Sequence, residues 1–311
     1  MGKIKVVYLT GFWFSGATIL GRSLKSSDEV IYVGEIRDYW TKGLKKNDWC
    51  SCGERFYSCK FWTTVTADYI SSFPTEDIER ISKDLSKLEK TKNYFKLRKF
   101  LINKDDNKIQ QLLDTYLKHT EKLYEIISKV SGKDIIIDSS RLPGRLLALS
   151  SSTKIKIFPI YIIRDPRGVI NSLIKKDIRR FGEIKNSTFK HILTWNVKNL
   201  LSLDSINKLN SNDTIYLEYK NFTRNPVQKF EKIKETLNCT LNYDNENGKV
   251  SLFLEPGHVF TGNRSRHDSG KIAIAEDTTW KQELSWQRKL IVSVISLPLF
   301  NYLVKRYQLN Q

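Results

Sequence analysis

The sequence predicts an α/β fold: a doubly wound, mainly parallel sheet with a helical insertion. Three observations predict it. Val6-Val7-Tyr8-Leu9-Thr10 reads as a buried strand, and it runs into Gly11-Phe12-Trp13-Phe14-Ser15-Gly16-Ala17-Thr18, whose G-x-x-x-x-G-x-[ST] spacing is that of a phosphate loop opening a helix. Ile135-Ile136-Ile137-Asp138 and Ile155 to Ile163 are continuous apolar runs of the kind a parallel sheet buries on both faces. Ahead of those runs lies a long stretch of helical periodicity.

In chain order, Lys5 to Leu9 is the first strand, Ser15 to Leu24 the helix after the loop, and Val30 to Val33 a short second strand ending at Gly34-Glu35. From Thr75 the period changes. Ile78, Ile81, Leu85 and Leu88, then Ile109, Leu112, Leu113, Tyr116, Leu123 and Ile127, recur at helical spacing with charges between them. Pro74-Thr75 is a start signal, and Asn103-Lys104-Asp105-Asp106-Asn107 a polar connection. Residues 63 to 131 therefore read as a helical insertion or lid within a single domain covering residues 1 to 311. After the two apolar runs come a turn at Arg164-Asp165-Pro166-Arg167-Gly168, a helix from Val169, and a further strand at Thr214 to Leu217. Pro226 then opens a helix over Val227 to Leu237. The apolar run Leu290 to Val304 is broken by Ser293, Ser296, Pro298 and Asn301 and falls short of the ~20 residues a membrane span needs, so it reads as a buried C-terminal helix.

Composition narrows the function classes. With 311 residues, 40% of them hydrophobic, the chain can bury a full core. Fifty-two Lys and Arg against 34 Asp and Glu leave +18, which points either to an anionic partner or to a solvated basic surface with no site. No nucleic-acid motif or basic aromatic stripe accompanies that charge, so nucleic acid is not expected. Four cysteines are too few for a disulfide scaffold in a chain this long. Cys50, Cys52 and Cys59 form C-x-C-x6-C, which lacks the paired C-x2-C spacing and an evident fourth ligand nearby. No metal is expected, with a zinc site, reduced thiols and one disulfide all open for that loop. Its aromatic company, Trp40, Trp49, Phe56, Tyr57 and Trp62, suits the lining of an acceptor cleft. Met1 to Lys5 leads into the first strand with no signal peptide, and Val6 breaks the myristoylation pattern, so the expected location is the cytoplasm.

The chemistry concentrates in two segments. In the phosphate loop, Ala17 stands where an ATP-binding loop carries its lysine, leaving backbone N–H groups, a helix N-terminus and the Ser15 and Thr18 hydroxyls to hold a phosphate. In Tyr161-Ile162-Ile163-Arg164-Asp165-Pro166-Arg167-Gly168-Val169-Ile170-Asn171-Ser172, an arginine at a strand end is followed eight residues later by a serine on the next helix. Both can face one phosphate. Together these segments resemble the bacterial type of sulfotransferase that uses 3′-phosphoadenosine 5′-phosphosulfate, in which an R-D-P-R-x-x-x-x-S motif holds the 3′-phosphate. Gly34-Glu35-Ile36-Arg37, Trp49-Cys50-Ser51-Cys52-Gly53, Cys59-Lys60-Phe61-Trp62, Asp138-Ser139-Ser140-Arg141, Tyr219-Lys220-Asn221-Phe222 and Gly262-Asn263-Arg264-Ser265-Arg266 are similar to further segments of that family.

The resemblance implies a fold of the P-loop kinase type, a sulfonate donor across the carboxyl ends of the strands, an acceptor cleft above it, and transfer without a metal. Ser15, Gly16, Ala17, Thr18 and Ile19 would grip the 5′-phosphosulfate. Arg164 and Ser172 would grip the 3′-phosphate, the planar guanidinium fork suiting that task. Arg264 would add a second contact to the 3′-phosphate from a C-terminal loop, where Arg266 would either join it or sit on an exposed basic loop with no ligand, and Tyr219 would meet the nucleotide unless it is a core tyrosine. Glu35 would be the general base, with His258 and His267 as second candidates and a salt bridge to Arg37 as its alternative role. His119 and His191 read as packing or surface residues. Arg141 would approach the sulfonate, while Asp138 would be structural. For Arg164 the alternative is an ion pair with Asp165.

One position departs from the family. Phe14 stands where members carry Arg or Lys, and losing such a charge costs about 10²- to 10³-fold in rate. Arg141, Arg22 or Lys25 would have to substitute, or transfer is slow or absent. The competing functions are a P-loop kinase or NTPase, with Asp138 on magnesium, and a non-catalytic anion-binding protein. A carbohydrate, a lipid, a small alcohol or a peptide would each fit as acceptor, and the oligomeric state is open.

Overall fold

The computed structural model describes residues 2–184, 187–209, 211–246 and 249–308, without the side chains of Lys249, Arg264 and Gln308. The first half runs β1 (Ile4–Gly11), α1 (Ala17–Leu24), β2 (Val30–Tyr32), α2 (Lys60–Ser72), α3 (Ile78–Glu89), α4 (Tyr94–Asn103), α5 (Asn107–Ser131) and β3 (Ile135–Asp138). Then come α6 (Pro143–Leu149), β4 (Ile155–Ile163), α7 (Pro166–Phe181), α8 (Thr188–Leu209), β5 (Ile215–Glu218), α9 (Tyr219–Arg224) and α10 (Pro226–Leu237). A small hairpin and its partner, β6 (Asp244–Glu246), β7 (Lys249–Leu254) and β8 (Gly270–Ala273), precede α11 (Trp280–Glu283) and α12 (Trp286–Gln308).

The main sheet has the order β2-β3-β1-β4-β5, with every pair parallel. Val6 of β1 stands beside Ile136 on one side and Ile157 on the other, so the three apolar runs form the sheet's middle. Alternate residues of β1 enter two separate cores. Val6 and Tyr8 join the helices of the insertion and α7, α8 and α12, whereas Val7 and Leu9 join Leu20 and Leu24 of α1 and Phe230 and Ile233 of α10. With helices on both faces, the strands are apolar along their middles, and the charged Lys5, Asp138, Lys156 and Glu218 stand at or next to strand ends. This is the α/β, doubly wound fold that the strand pattern predicts.

Several boundaries move for local reasons. The first helix begins at Ala17 rather than Ser15, because Gly16 is its N-cap with φ 99°. The seventh begins at Pro166 rather than Val169: Asp165 caps it by accepting from the Arg167 N–H at 2.9 Å, and Pro166 at the first turn needs no hydrogen bond. The second sheet, antiparallel in the order β6-β7-β8, carries too short and polar a first strand to be foreseen. Within the insertion, Asp106 caps the 25-residue α5, accepting from Lys108 and Ile109, and Gly132 closes it with φ 66°. Helices α2 to α5 share the core that holds Val6 and Ile136.

The C-terminal helix corrects an expectation. The chain does form a helix there, but α12 covers only one side of itself, against α7 and α8: Val292 and Leu303 are fully buried, while Leu290 and Val294 are 56% and 66% exposed. Among the described residues it is the one helix long and apolar enough to cross a membrane by length and composition. Apolarity told that a helix is present, not how many neighbours it has.

Candidate functional site

The phosphate loop is held by close backbone contact. Gly11 has φ 118°, and a Cβ there would stand 2.3 Å from the Ile162 carbonyl oxygen of β4. At Gly16 a Cβ would stand 2.6 Å from the Tyr219 ring. Both positions need glycine for conformation and for space. Phe14, between them, also has a left-handed backbone, φ 62°, which a non-glycine residue adopts only where its surroundings enforce it. The loop delivers the α1 N-terminus, whose first turn carries no acidic side chain, to the carboxyl end of the sheet. A helix N-terminus at that point offers N–H groups suited to an anion.

A cleft of about 740 Å³ opens there. From the loop it is lined by Gly16, Ala17, Thr18 and Ile19; from the strand ends and the helices beyond, by Glu35, Arg141, Arg164, Ser172 and Tyr219. Residues 16 and 172 thus share one wall although far apart in sequence. Ser15 lies beneath this surface with a buried hydroxyl that has no partner. The Arg264 side chain lies outside the described residues. Arg266 does not line the cleft; its guanidinium donates to the carbonyls of Gly262 and Asn263 at 3.2 and 3.3 Å.

Arg164 is buried, its side chain 8% exposed. Its Nη1 donates to the Phe14 carbonyl at 3.0 Å, and its Nη2 to the carbonyl and carboxylate of Asp277, both at 2.9 Å. The guanidinium stacks 4.6 Å from the Tyr219 ring centroid, and Gly168 leaves it room, since a Cβ there would be 3.1 Å from its Nε. The alternative pairing with Asp165 does not occur, because that carboxylate is bound by Arg167. Ser172 is turned onto its own helix, donating to the Gly168 carbonyl at 3.0 Å.

Glu35 is buried between two arginines, Oε1 taking a hydrogen bond from Arg141 and Oε2 one from Arg37 at 3.3 Å. Burial by itself raises a carboxyl pKa, but Arg141, Arg37 and Lys42 together outweigh it and hold Glu35 below its ordinary value. The group stays ionised. Arg141 adopts φ 56° and keeps its Nε buried without a partner. A buried donor with no acceptor costs about 1–3 kcal/mol, a penalty that an arriving anion removes.

Asp138 is fully buried and consumed. It accepts from Tyr124 Oη at 2.6 Å, Arg145 Nε at 2.9 Å and the Ser140 N–H at 2.8 Å. Arg145, equally buried, also reaches Glu89 at 3.2 Å. This network fixes the turn that carries Arg141 and leaves Asp138 outside the cleft. Neither His258 nor His267 lines the cleft, which corrects their place as second candidates for a base. Nor do Arg22 and Lys25: the first donates to the carbonyls of Ser265 and Asp268, the second to that of Pro256 at 2.9 Å. His119 and His191 are buried and partnered by Glu76 and Asp177.

Sequence reasoning missed most of the remaining charge. Among the described residues seven cationic side chains, Arg37, Lys42, Arg141, Arg164, Lys176, Arg179 and Arg180, face the cleft against Glu35 and Asp277. Helical spacing from Ser172 would have found Lys176, Arg179 and Arg180, since positions four, seven and eight residues on share its face. Asp277 offered no such signal. The aromatic residues of the cysteine loop do not line the cleft: Trp40, Phe56 and Trp62 pack into the core around Tyr39 and Phe260, and the cleft's own aromatic residues are Trp13, Phe14 and Tyr219.

Of the comparisons with known proteins, one solved structure bears on the fold. No protein-family model matches the sequence, and no curated protein matches it. The sulfotransferase domain from the curacin biosynthetic pathway superposes with a TM-score of 0.50 at 14% identity, covering 95% of this chain and 98% of that one. Sulfotransferase STF9 from Mycobacterium avium reaches 0.42 at 10% identity over 76% of this chain and 64% of its own. STF1 from Mycobacterium tuberculosis H37Rv reaches 0.43 at 13% over 78% and 69%. Over 95% of its length the chain shares the α/β fold of the curacin-pathway domain, its own five parallel strands being flanked by helices.

Proposed function

We propose that this chain is a sulfotransferase, moving a sulfonate group from 3′-phosphoadenosine 5′-phosphosulfate to an acceptor hydroxyl or amine. The observation that carries the reading is the convergence of a lysine-free phosphate cradle, Arg164 and a Glu35 paired with Arg37 and Arg141 on one cation-lined cleft. The fold shared with the curacin-pathway sulfotransferase domain supports it. On this reading residues 1 to 311 act as one domain, with 63 to 131 as an insertion.

The backbone N–H groups of Gly16 to Ile19, with the Ser15 and Thr18 hydroxyls, hold the 5′-phosphosulfate. Arg164 exchanges Asp277 for the 3′-phosphate, and Ser172 rotates from Gly168 to donate to the same group. Tyr219 stacks under Arg164 and keeps its fork in plane. Glu35 takes the proton from the acceptor as the new bond to sulfur forms and the sulfur–oxygen bond to the 5′-phosphate breaks, releasing adenosine 3′,5′-bisphosphate. Arg141, with its free Nε, meets the charge on the transferring oxygens, and Lys176, near Trp13 on the cleft wall, supplies a cation that Phe14 cannot. Arg264 and Arg266 belong to the loop that covers the nucleotide. Asp138 is bound up in the Arg145 network, which disfavours the magnesium-dependent kinase reading. Phe14 favours one alternative, a protein that holds the nucleotide without transferring from it.

Two measurements decide. Adenosine 3′,5′-bisphosphate at 100 times its Kd stabilises the folded state by about 2.7 kcal/mol, which for 311 residues is about 4 °C in Tm. No shift at saturation overturns the nucleotide site. Labelled donor with a panel of hydroxyl and amine acceptors gives a sulfonated product that Glu35→Gln no longer makes; a shift without any product establishes the non-catalytic alternative.

A further inference from the structure

Away from the proposed transfer chemistry, the fold gathers four metal-ligating side chains. The Sγ atoms of Cys50, Cys52 and Cys59 and a ring nitrogen of His258 all lie within 4.8 Å of one another. His258 Nδ1 stands 3.3 Å from Cys59 Sγ, and all three cysteines are free thiols. Tetrahedral zinc, with bonds of about 2.3 Å to sulfur and about 2.0 Å to nitrogen, needs ligand atoms about 3.5–3.8 Å apart. The widest separation therefore has to close by about 1 Å, a side-chain adjustment.

Backbone hydrogen bonds pre-form the cluster independently of any ion. The Cys50 N–H donates to the Glu54 carbonyl at 2.8 Å, the Gly53 N–H returns to the Cys50 carbonyl at 3.1 Å, and the Cys59 N–H donates to that of Arg55 at 2.8 Å. Gly53, with φ 95°, allows the turn that brings Cys50 and Cys52 together. The second segment is tied on just as closely. The Ser51 N–H donates to the Val259 carbonyl at 2.9 Å, the Val259 N–H to Ser51 Oγ at 3.0 Å, and Trp62 Nε1 to the His258 carbonyl at 2.7 Å. The His258 ring stacks on Phe61 with centroids 4.7 Å apart, which sets its plane. Histidine supplies the fourth ligand that the local C-x-C-x6-C spacing lacks, from 199 residues downstream.

We propose that Cys50, Cys52, Cys59 and His258 bind one structural zinc ion. Three thiolates and one imidazole fill a tetrahedron and leave no open position, the mark of a structural and not a catalytic centre. Soft sulfur ligands with no carboxylate in the set select zinc over magnesium or calcium. The ion staples the 50–59 loop to the segment that continues through Val259 to Gly262 and Asn263, the last two on the cleft wall. Val259 packs on Gly34, where a Cβ would be 2.7 Å from its Cγ1, so the staple also bears on the turn carrying Glu35. None of this depends on the sulfotransferase reading.

The test is metal content. Full-length protein produced with zinc in the medium and purified without chelator is expected to carry one zinc per chain by mass spectrometry, and to show the thiolate charge-transfer and tetrahedral bands of cobalt when that ion is exchanged in. Cys59→Ser and His258→Ala are expected to lose the ion, whereas Cys239→Ser, a buried cysteine outside the cluster, keeps it. Should the cluster variants fail to fold, the wild-type stoichiometry and cobalt spectrum still decide. Zinc-free wild type with four titratable thiols overturns the proposal. So does a disulfide among these cysteines, or full zinc occupancy in Cys59→Ser and His258→Ala.

Discussion

Replacing Arg164 with alanine tests the proposed nucleotide site most directly. Its guanidinium makes three hydrogen bonds, to the Phe14 carbonyl and to two oxygens of Asp277, and on the proposed reading it exchanges the Asp277 carboxylate for a phosphate. A hydrogen bond to a charged group is worth about 1.5–3 kcal/mol, so its loss weakens binding roughly 10- to 150-fold. The Asp277 side chain is 44% exposed, so the pair given up costs at most about 1 kcal/mol, which places the net loss toward the lower end. At a concentration 100 times the wild-type Kd, the variant then sees ~10 Kd or less. Its stabilisation falls from about 2.7 to about 1.4 kcal/mol or below, and the Tm shift from about 4 °C to about 2 °C or below. Because Arg164 also pins Phe14 and Asp277, the unliganded Tm drops as well, so the assay is differential scanning fluorimetry with the ligand-induced shift as its readout. Arg164→Lys, keeping the charge without the fork, is expected to fall between. Arg167→Ala, whose side chain binds Asp165 and stacks on Trp280, keeps the full shift. A wild-type shift in Arg164→Ala refutes the reasoning.

Two further predictions follow from the same geometry. Gly16→Ala forces a side chain into φ 99° and to 2.6 Å from the Tyr219 ring, so urea denaturation should show a loss of at least about 1–2 kcal/mol and the bisphosphate shift should vanish; a stable, responsive variant contradicts the cradle. Glu35 has a folded pKa held below its ordinary 4.5, so the folded state binds this proton less readily than the unfolded chain. Its contribution is complete above that value and is lost as the pH falls beneath it. Urea midpoints between about pH 6 and pH 3 should therefore drop more steeply for wild type than for Glu35→Gln, and equal slopes contradict the assignment.

Much of this protein was legible in its sequence because much of it is local. Continuous apolar runs announce strands that are covered on both faces, and the glycines at 11 and 16 announce a loop that runs against its neighbours. The helices of the insertion follow from their period, but their starts do not: α3 begins at Ile78 with Asp77 as its cap rather than at the Pro74-Thr75 signal, and Asp106 caps α5. The cleft was less legible. Arg164 and Ser172 sit on one motif, but the cations beyond Ser172 become visible only when the helix is wound in thought, and Arg141 is presented by a turn whose shape depends on the buried Asp138–Arg145 pair.

What the sequence determined by itself, then, is the sheet, the phosphate loop and the strand-end arginine, since each is written in residues a few positions apart. Only the tertiary structure decided that Arg164 rests on Asp277, that Asp138 is spent inside the core, that α12 shows one apolar side to solvent, and that His258 meets three cysteines. The reason is physical. Periodicity and turn chemistry act over a few residues, whereas a partner 113 or 199 positions away is chosen by how the whole chain closes, and no local pattern records that choice.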